Sequence, residues 1–389
     1  MIAYSTTDLD HLQVQEQTEA CFQKGLVTEE ELKIVKEHYP VQFYSPNYLM
    51  RIGLFIMCSV IIQFSSSLLN LMSMMAYQNI IAVSSLLIIS GLLSLVVLEW
   101  MIRKGHYQSG VDDAFIFWSA VFLIAGINMT GEFSPLSCSV IIFIISALWV
   151  MRYANPFISI TACLSLLFLV FFSYLKAGDI ARATMPFVLM ALTGAIYIIV
   201  KLLADKFAFR HYSACITLIR ITCLVCFYAA GNYYVVREAG VQFLHLALKE
   251  GEQIPLSWFF WSFTVFIPFL YIFRGLQQKD RILLRIGICL VAAAVFTVRH
   301  YYFILPLEFA MITGGCLLIL LAYNIIRYLK QPRHGFTSRP DNEGTAFIFN
   351  QLESLIIAKA AASDIYSAPA DGNRFGGGSS GGAGATGNY

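Results

Sequence analysis

The sequence predicts an all-α fold: a polytopic transmembrane helix bundle of about ten helices with a small cytoplasmic helical hairpin at the N-terminus. Three observations lead there. Hydrophobic residues make up 58% of the chain and charged residues only 13%, against about 25% charged in a soluble domain. Almost everything between Arg51 and Arg327 falls into apolar runs of about 17–25 residues, the length a helix needs to cross ~30 Å of hydrocarbon. The connections between these runs are alternately rich and poor in Lys and Arg, as expected of a chain sorted by the positive-inside rule.

Residues 1–48 read as the hairpin. Thr7 is placed to cap a helix that runs to about Phe22, with Gly25 as its stop. Thr28-Glu29-Glu30-Glu31 is a capping box, in which Thr28 caps and Glu31 reaches back to the Thr28 amide; this second helix ends before Pro40. Leu9, Leu12, Phe22, Leu26, Leu32 and Val35 offer a modest shared core. That core is too small to be very stable alone. The hairpin is expected to dock on a partner or on the membrane domain, or else to be a plain amphipathic lead-in. These residues lack the basic–apolar–small pattern of a cleaved signal peptide, so the first membrane helix is expected to drive insertion.

The membrane domain, 49–330, contains spans at 51–74, 79–99, 113–130, 135–151, 155–175, 184–203, 216–236, 257–273, 282–299 and 305–326. Arg103, Lys104, Arg152, Lys201, Lys206, Arg210, Arg274, Lys279, Arg281, Arg285, Arg327 and Lys330 gather on one side, and only Lys176, Arg182, Arg237, Lys249 and Arg299 on the other. Both termini are therefore expected in the cytoplasm, with the chain in the bacterial inner membrane. Four inward-running spans begin near Pro135, Pro186, Pro255 and Pro306, and proline suits a first helical turn because its missing N–H would be unpaired there anyway. Arg51-Ile52-Gly53 recurs as Arg285-Ile286-Gly287 and, more loosely, as Arg220-Ile221-Thr222. This reads as a faint duplication or as a shared way of anchoring a helix start by a snorkelling arginine.

Beyond the membrane domain, 331–343 read as a linker and 344–363 as an amphipathic helix carrying Phe347, Leu352, Leu355, Ile356 and Lys359. That helix could lie on the membrane surface or dock on the hairpin. Residues 364–389 are a Gly/Ser-rich tail, expected to be disordered.

The chemistry on offer is sparse. The nine cysteines form no disulfide framework, and Cys223 and Cys226, although spaced C-x-x-C, lie inside a span where packing is the expected role. No metal-ligand spacing, cofactor motif or catalytic signature is present. The 105–113 connection holds His106, Asp112 and Asp113 and reads as a solvated loop. Charges within spans are costly and point to function by default, yet the span centres are nearly free of them. Arg220 is either the deepest charge or an interfacial anchor, according to where its helix begins.

At the outer boundary Glu132, Arg237, Arg299, His300 and Glu308 form a candidate polar cluster, joined by Asn232, Tyr233, Tyr234, Tyr301 and Tyr302. It is either an outward-opening pocket in which His300 and Glu308 bind or move a proton, or a capped helix end within an aromatic belt. Gln63, Asn70, Asn128 and Arg220 are the candidate polar residues of the membrane interior, the first three lining a pathway or bonding helix to helix.

The run Lys24-Gly25-Leu26-Val27-Thr28-Glu29-Glu30-Glu31-Leu32, followed by a first span opening Arg51-Ile52-Gly53-Leu54, resembles an uncharacterised family of predicted bacterial membrane proteins. The resemblance implies a short helical N-terminal module and about eight to twelve membrane helices, and it brings no catalytic residues. The end, Phe375 to Tyr389, is similar to the Gly/Ser tails of bacterial membrane proteins bearing a TPM domain. Those tails close on Trp where this one closes on Tyr, and no TPM domain accompanies it here.

Three functions stay open. The first is a membrane scaffold or sensor component binding protein partners through its hairpin and tail, which the charge-poor interior favours. The second is a small-solute transporter or channel. The third is an enzyme acting at the outer face on a lipid-linked substrate through Arg299, His300 and Glu308. The lipid bilayer is the one partner common to all three. A homo-oligomer is open, and a net charge of +2 gives nothing for nucleic acid.

Overall fold

The computed structural model describes residues 2–23, 25–77, 80–131, 133–204, 206–243, 253–278 and 280–301, with positions 312, 315–316, 319–320, 323 and 327. Residues Met1–Ser338 form one compact unit. Among the described residues the fold is all-helical, with a single isolated bridge between Tyr44 and His106. The tenth predicted span, the partners Glu132 and Glu308, and everything from 331 onward (linker, amphipathic helix and tail) lie largely or wholly outside the described residues.

The hairpin consists of α1 (Thr6–Gln23) and α2 (Glu29–His38). The Thr28 capping box is formed as expected: the Thr28 amide donates to Glu31 Oε2 at 2.8 Å, and the Glu31 amide donates to Thr28 Oγ1 at 3.4 Å. Gly25 stops α1 with φ +70°. Two expectations change. Ser5, not Thr7, takes the capping position, accepting the Asp8 amide at 3.3 Å. The shared hairpin core is thin: Leu26 is exposed, Phe22 is exposed, and Leu9 is buried against the bundle instead.

The bundle continues with α3 (Tyr48–Tyr77), α4 (Ile80–Arg103), α5 (Val111–Met129), α6 (Pro135–Tyr153), α7 (Pro156–Leu175), α8 (Asp179–Ala204), α9 (Ser213–Gly231), α10 (Tyr233–Gln242), α11 (Ser257–Gln278) and α12 (Arg281–Tyr301). Among the described residues, nine of these helices are long and apolar enough to cross a membrane. Their outward faces need a hydrocarbon solvent. Phe64 is 75% exposed, Trp258 70% and Phe266 69%, and in water each such side chain forgoes about 1.5–3 kcal/mol of burial.

Among the described residues, two apolar clusters are larger than the others. One joins α4, α5 and α6 around Leu98, Ile116, Leu123 and Ile145. The other joins α9, α11 and α12 around Leu224, Phe263, Tyr271 and Leu290. Helix α7 packs on α9 between them, where Cys163 and Cys223 bring their sulfurs to 3.9 Å. Buried Ser84, Ser94, Ser119, Ser139 and Ser146 each donate to a carbonyl one turn back in their own helix. Such small, internally satisfied residues let helices approach closely in lipid. At the α4–α5 contact a Cβ on Gly126 would stand 2.7 Å from Ile88 Cγ1 and 3.0 Å from the Ser84 carbonyl.

Proline and the helix boundaries depart from the sequence reading at Pro186 and Asn232, and the start of α9 decides between the two readings of Arg220. Pro135 does sit in the first turn of α6, capped by Ser134. Pro186, however, lies inside α8, because a polar turn from Asp179 extends that helix before its apolar span. The predicted span 216–236 breaks at Asn232, which caps α10 by accepting the amides of Tyr234 and Val235 at 3.0 and 3.3 Å. Helix α9 begins at Ser213, so Arg220 lies two turns inside it and not at its start.

Candidate functional site

Three polar constellations stand out. The first is at the end of the bundle where α3 and α5 begin and α4 and α6 finish. Asp112, 1% exposed, accepts the amides of Gln108 and Ser109 at 2.8 Å each, the Ser109 hydroxyl at 3.0 Å and the Tyr4 hydroxyl at 3.1 Å. Asp113 accepts Arg51 at 2.7–2.8 Å and the Asn155 side-chain amide at 3.1 Å. Arg51 in turn donates to Gln108 Oε1 at 3.0 Å. Both acids lie in the first turn of α5, where a carboxylate meets the positive end of the helix.

The 105–113 connection is thus no solvated loop. It is a turn folded under the bundle, and its shape is forced by close contact. Gly110 takes φ +87°, and a Cβ there would collide with the Arg51 carbonyl.

Tyr4 closes this site from the N-terminal side. Its ring stands edge-on to Tyr107 at 4.9 Å, while Phe43 stacks on Tyr107 at 4.9 Å. Burial first, then the Asp112 charge, pushes the Tyr4 phenol well above its usual range, so it remains a donor. Burial likewise pushes Tyr107 up to about 12. One residue earlier, the Ala3 amide donates to the Arg152 carbonyl at 2.7 Å. Arg152 also clasps Glu99 at 3.0–3.1 Å, and Tyr153 donates to the same carboxylate at 3.1 Å. Asp10 on α1 meets Arg210 at 2.6 Å. A polar cavity of about 580 Å³ lies beneath, lined by Asp8, Gln42, Glu99, Arg103, Lys104 and Arg152 among others. Asp10, Glu99, Asp112 and Asp113 each have a partner, so the arrangement is suited to holding the N-terminal segment in place.

The second constellation is the predicted outer cluster, and the structure brings part of it together. The His300 ring stands 4.9 Å from Tyr234 and 5.0 Å from Tyr301, and the Arg237 guanidinium lies over Tyr301 at 5.3 Å. Tyr233 stacks on Trp261 at 4.6 Å. Beneath, buried Asn232 donates to Tyr228 and Thr297 at 3.0 Å each. Arg299 follows Thr297 in the last turn of α12. Glu132 and Glu308, the two acids of the predicted cluster, lie outside the described residues.

The third set is the residues predicted for the membrane interior. Asn70 donates to the Ser66 carbonyl at 2.8 Å and Asn128 to the Ile124 carbonyl at 2.8 Å, each within its own helix. Gln63 reaches Ser67 on its own helix at 3.5 Å. Arg220 forms an ion pair with Asp280 at 2.7 Å, both side chains mostly buried, and faces the Tyr197 ring at 5.8 Å. Among the described residues no group of His, Cys, Asp and Glu could hold a metal ion.

Sequence reasoning missed Tyr4, Asp10 and Asp112 as site residues. Two adjacent acids opening an apolar span were the available signal for Asp112. Nothing local in the sequence pairs Tyr4 or Asp10 with residues 108 and 200 positions away. Comparison with protein-family models, with curated proteins and with solved structures gives no match to this chain.

Proposed function

We propose that the chain is a scaffold or sensor component of the bacterial cytoplasmic membrane, with both termini in the cytoplasm, and that it engages a protein partner through α2. The contrast between the two hairpin helices carries this reading. Helix α1 is tied to the bundle by Leu9 and by the Asp10–Arg210 pair. Helix α2 has no buried side chain, and Ile34 is 63% exposed beside an acidic first turn of Glu29, Glu30 and Glu31. A helix held out in this way, apolar on one side and acidic at its start, suits a groove with an apolar floor and a basic rim.

The basic residues support this sidedness. Arg51, Arg103, Lys104, Arg152, Lys201 and Arg210 all belong to helix ends on the α1 side, which the positive-inside rule assigns to the cytoplasm. The resemblance of Lys24–Leu32 and Arg51–Leu54 to bacterial membrane proteins supports the compartment. The in-helix bonding of Asn70 and Asn128 favours anchorage over a solute route through the bundle.

A photo-crosslinking residue at Ile34 tests the partner. In intact cells it should give one discrete adduct that disappears with Leu26→Asp, while the same probe at Phe64, on the lipid face, gives none. No adduct at position 34, or the same adduct from both positions, would end this reading. A single cysteine at Gln42 should react with an impermeant maleimide only in inside-out vesicles; labelling in intact cells would reverse the sidedness.

A further inference from the structure

A groove of about 400 Å³ runs between α8, α9 and α11, within the ~300–1,000 Å³ of ordinary ligand sites. Its floor is buried Thr193, Leu224 and Tyr271, and its rim is exposed Ile198 and Leu270. The polar atoms of the floor are already used: Thr193 donates to the Leu189 carbonyl at 2.7 Å and Tyr271 to the Leu224 carbonyl at 3.3 Å. What remains for an occupant is hydrocarbon. Gly194 borders the groove, where a Cβ would meet only Phe227, at 3.9 Å.

One end of the groove is different. Lys201, Arg274 and Gln278 stand there, all exposed, with Lys201 Nζ 3.4 Å from Gln278 Oε1. Neither cation forms an ion pair with a carboxylate among the described residues, and Asp280 is already held by Arg220 at 2.7 Å. From Ile267 to Gln278 the wall of α11 is about 16 Å long at ~1.5 Å per residue, close to the ~15 Å half-thickness of the hydrocarbon core. The groove therefore spans one leaflet, apolar along its length and cationic at the headgroup level.

We propose that this groove binds one anionic phospholipid, with an acyl chain laid against Gly194 and the phosphate held between Lys201 and Arg274. Charge selects the occupant. Bulk lipid on the outer faces would show no preference for an anionic headgroup, whereas two unneutralised cations do. Each cation near an anionic headgroup contributes a factor of about five, so the pair favours an anionic over a zwitterionic lipid by roughly 30-fold.

The test is native mass spectrometry of the purified full-length protein, titrated with palmitoyl-oleoyl phosphatidylglycerol or with phosphatidylcholine of the same chains. One phosphatidylglycerol should be retained in preference to phosphatidylcholine. Gly194→Trp, which fills the groove, should abolish that retention. The double variant Lys201→Gln/Arg274→Gln should weaken it by roughly 30-fold and remove the headgroup preference, and Val96→Trp on another lipid face should leave it unchanged. Excess inorganic phosphate should not displace the lipid, because the chain supplies part of the affinity. Equal retention of both lipids overturns the proposal, as does undiminished retention in the double variant. If Gly194→Trp fails to fold, the double variant decides alone, since both cations are exposed and outside the packed core.

Discussion

Tyr4 donates its phenolic hydrogen to Asp112 across 3.1 Å, joining the segment ahead of α1 to the first turn of α5. The bond closes a buried carboxylate that already accepts two backbone amides and a serine hydroxyl. Removing one donor from such a group leaves part of its desolvation cost unpaid for the remaining charge.

Tyr4→Phe keeps the ring contacts with Tyr107 and Phe43 and loses only this bond. It should lower stability by about 1.5–3 kcal/mol, the usual range for a hydrogen bond to a charged group. Unfolding in detergent, followed by denaturant titration, measures the change; wild-type stability in Tyr4→Phe would remove the latch.

The same residue predicts a pH dependence. Tyr4 and Tyr107 have phenol pKa values raised by burial above the ordinary 10.0. A raised phenol contributes stability that is complete below the unfolded value and lost as pH rises toward the folded one. The melting temperature should therefore be flat to about pH 10 and fall above it, with a shallower fall in Tyr4→Phe. Identical alkaline limbs in both proteins would contradict this.

Arg51 and Asp113 form an ion pair at 2.7 Å whose side chains are 25% and 12% exposed. Complete burial would make breaking such a pair cost about 3–5 kcal/mol, and partial solvent screening lowers this to roughly 1–3 kcal/mol. Arg51→Met and Asp113→Asn should each be destabilising, and a double-mutant cycle should give a coupling of the same sign. A coupling near zero would mean that the two sites act separately.

Gly126→Leu should destabilise by about 1–3 kcal/mol through overpacking at the α4–α5 contact, because its Cβ would press on Ile88. Gly194→Ala, with open space at its Cβ, should be close to neutral. Thermal unfolding of the two variants side by side reads the difference, and equal effects would argue against close α4–α5 packing.

Thr28→Ala should cost α2 about 1 kcal/mol by removing its cap. Glu31, held below the ordinary carboxylate range by the Thr28 amide and hydroxyl, makes the cap acid-sensitive. A lowered carboxyl stabilises above its unfolded pKa and loses that contribution as pH falls. Amide exchange at residues 29–32 should quicken both in Thr28→Ala and on acidification, with the bundle amides unaffected.

How much of this was legible in the sequence depends on range. The spans were readable because each run is apolar along its whole length, and the Thr28 capping box because its four residues carry the full pattern. The break at Asn232 was hidden because the apolar run continues past it into Val235 and Val236, and only the side-chain cap marks the turn. Pro186 misled because a first-turn proline and a proline two turns deeper look the same when a polar stretch precedes the apolar run. The 105–113 turn was misread because its acids look like surface residues until Tyr4 and Arg51, far away in sequence, are brought to them. For the outer cluster, the aromatic and cationic residues near Tyr301 were legible as interfacial types, but their mutual contacts depend on how α10, α11 and α12 pack.

The Ala3–Arg152 backbone bond sets an order of events during synthesis. Some 150 residues separate donor from acceptor, so this bond can close only after four membrane helices have been made and the fourth has delivered its carbonyl. Tyr4 and Phe43 stand uncovered only until Tyr107 and Asp112 emerge between the second and third membrane helices, which makes that earlier interval the period in which a chaperone would matter most.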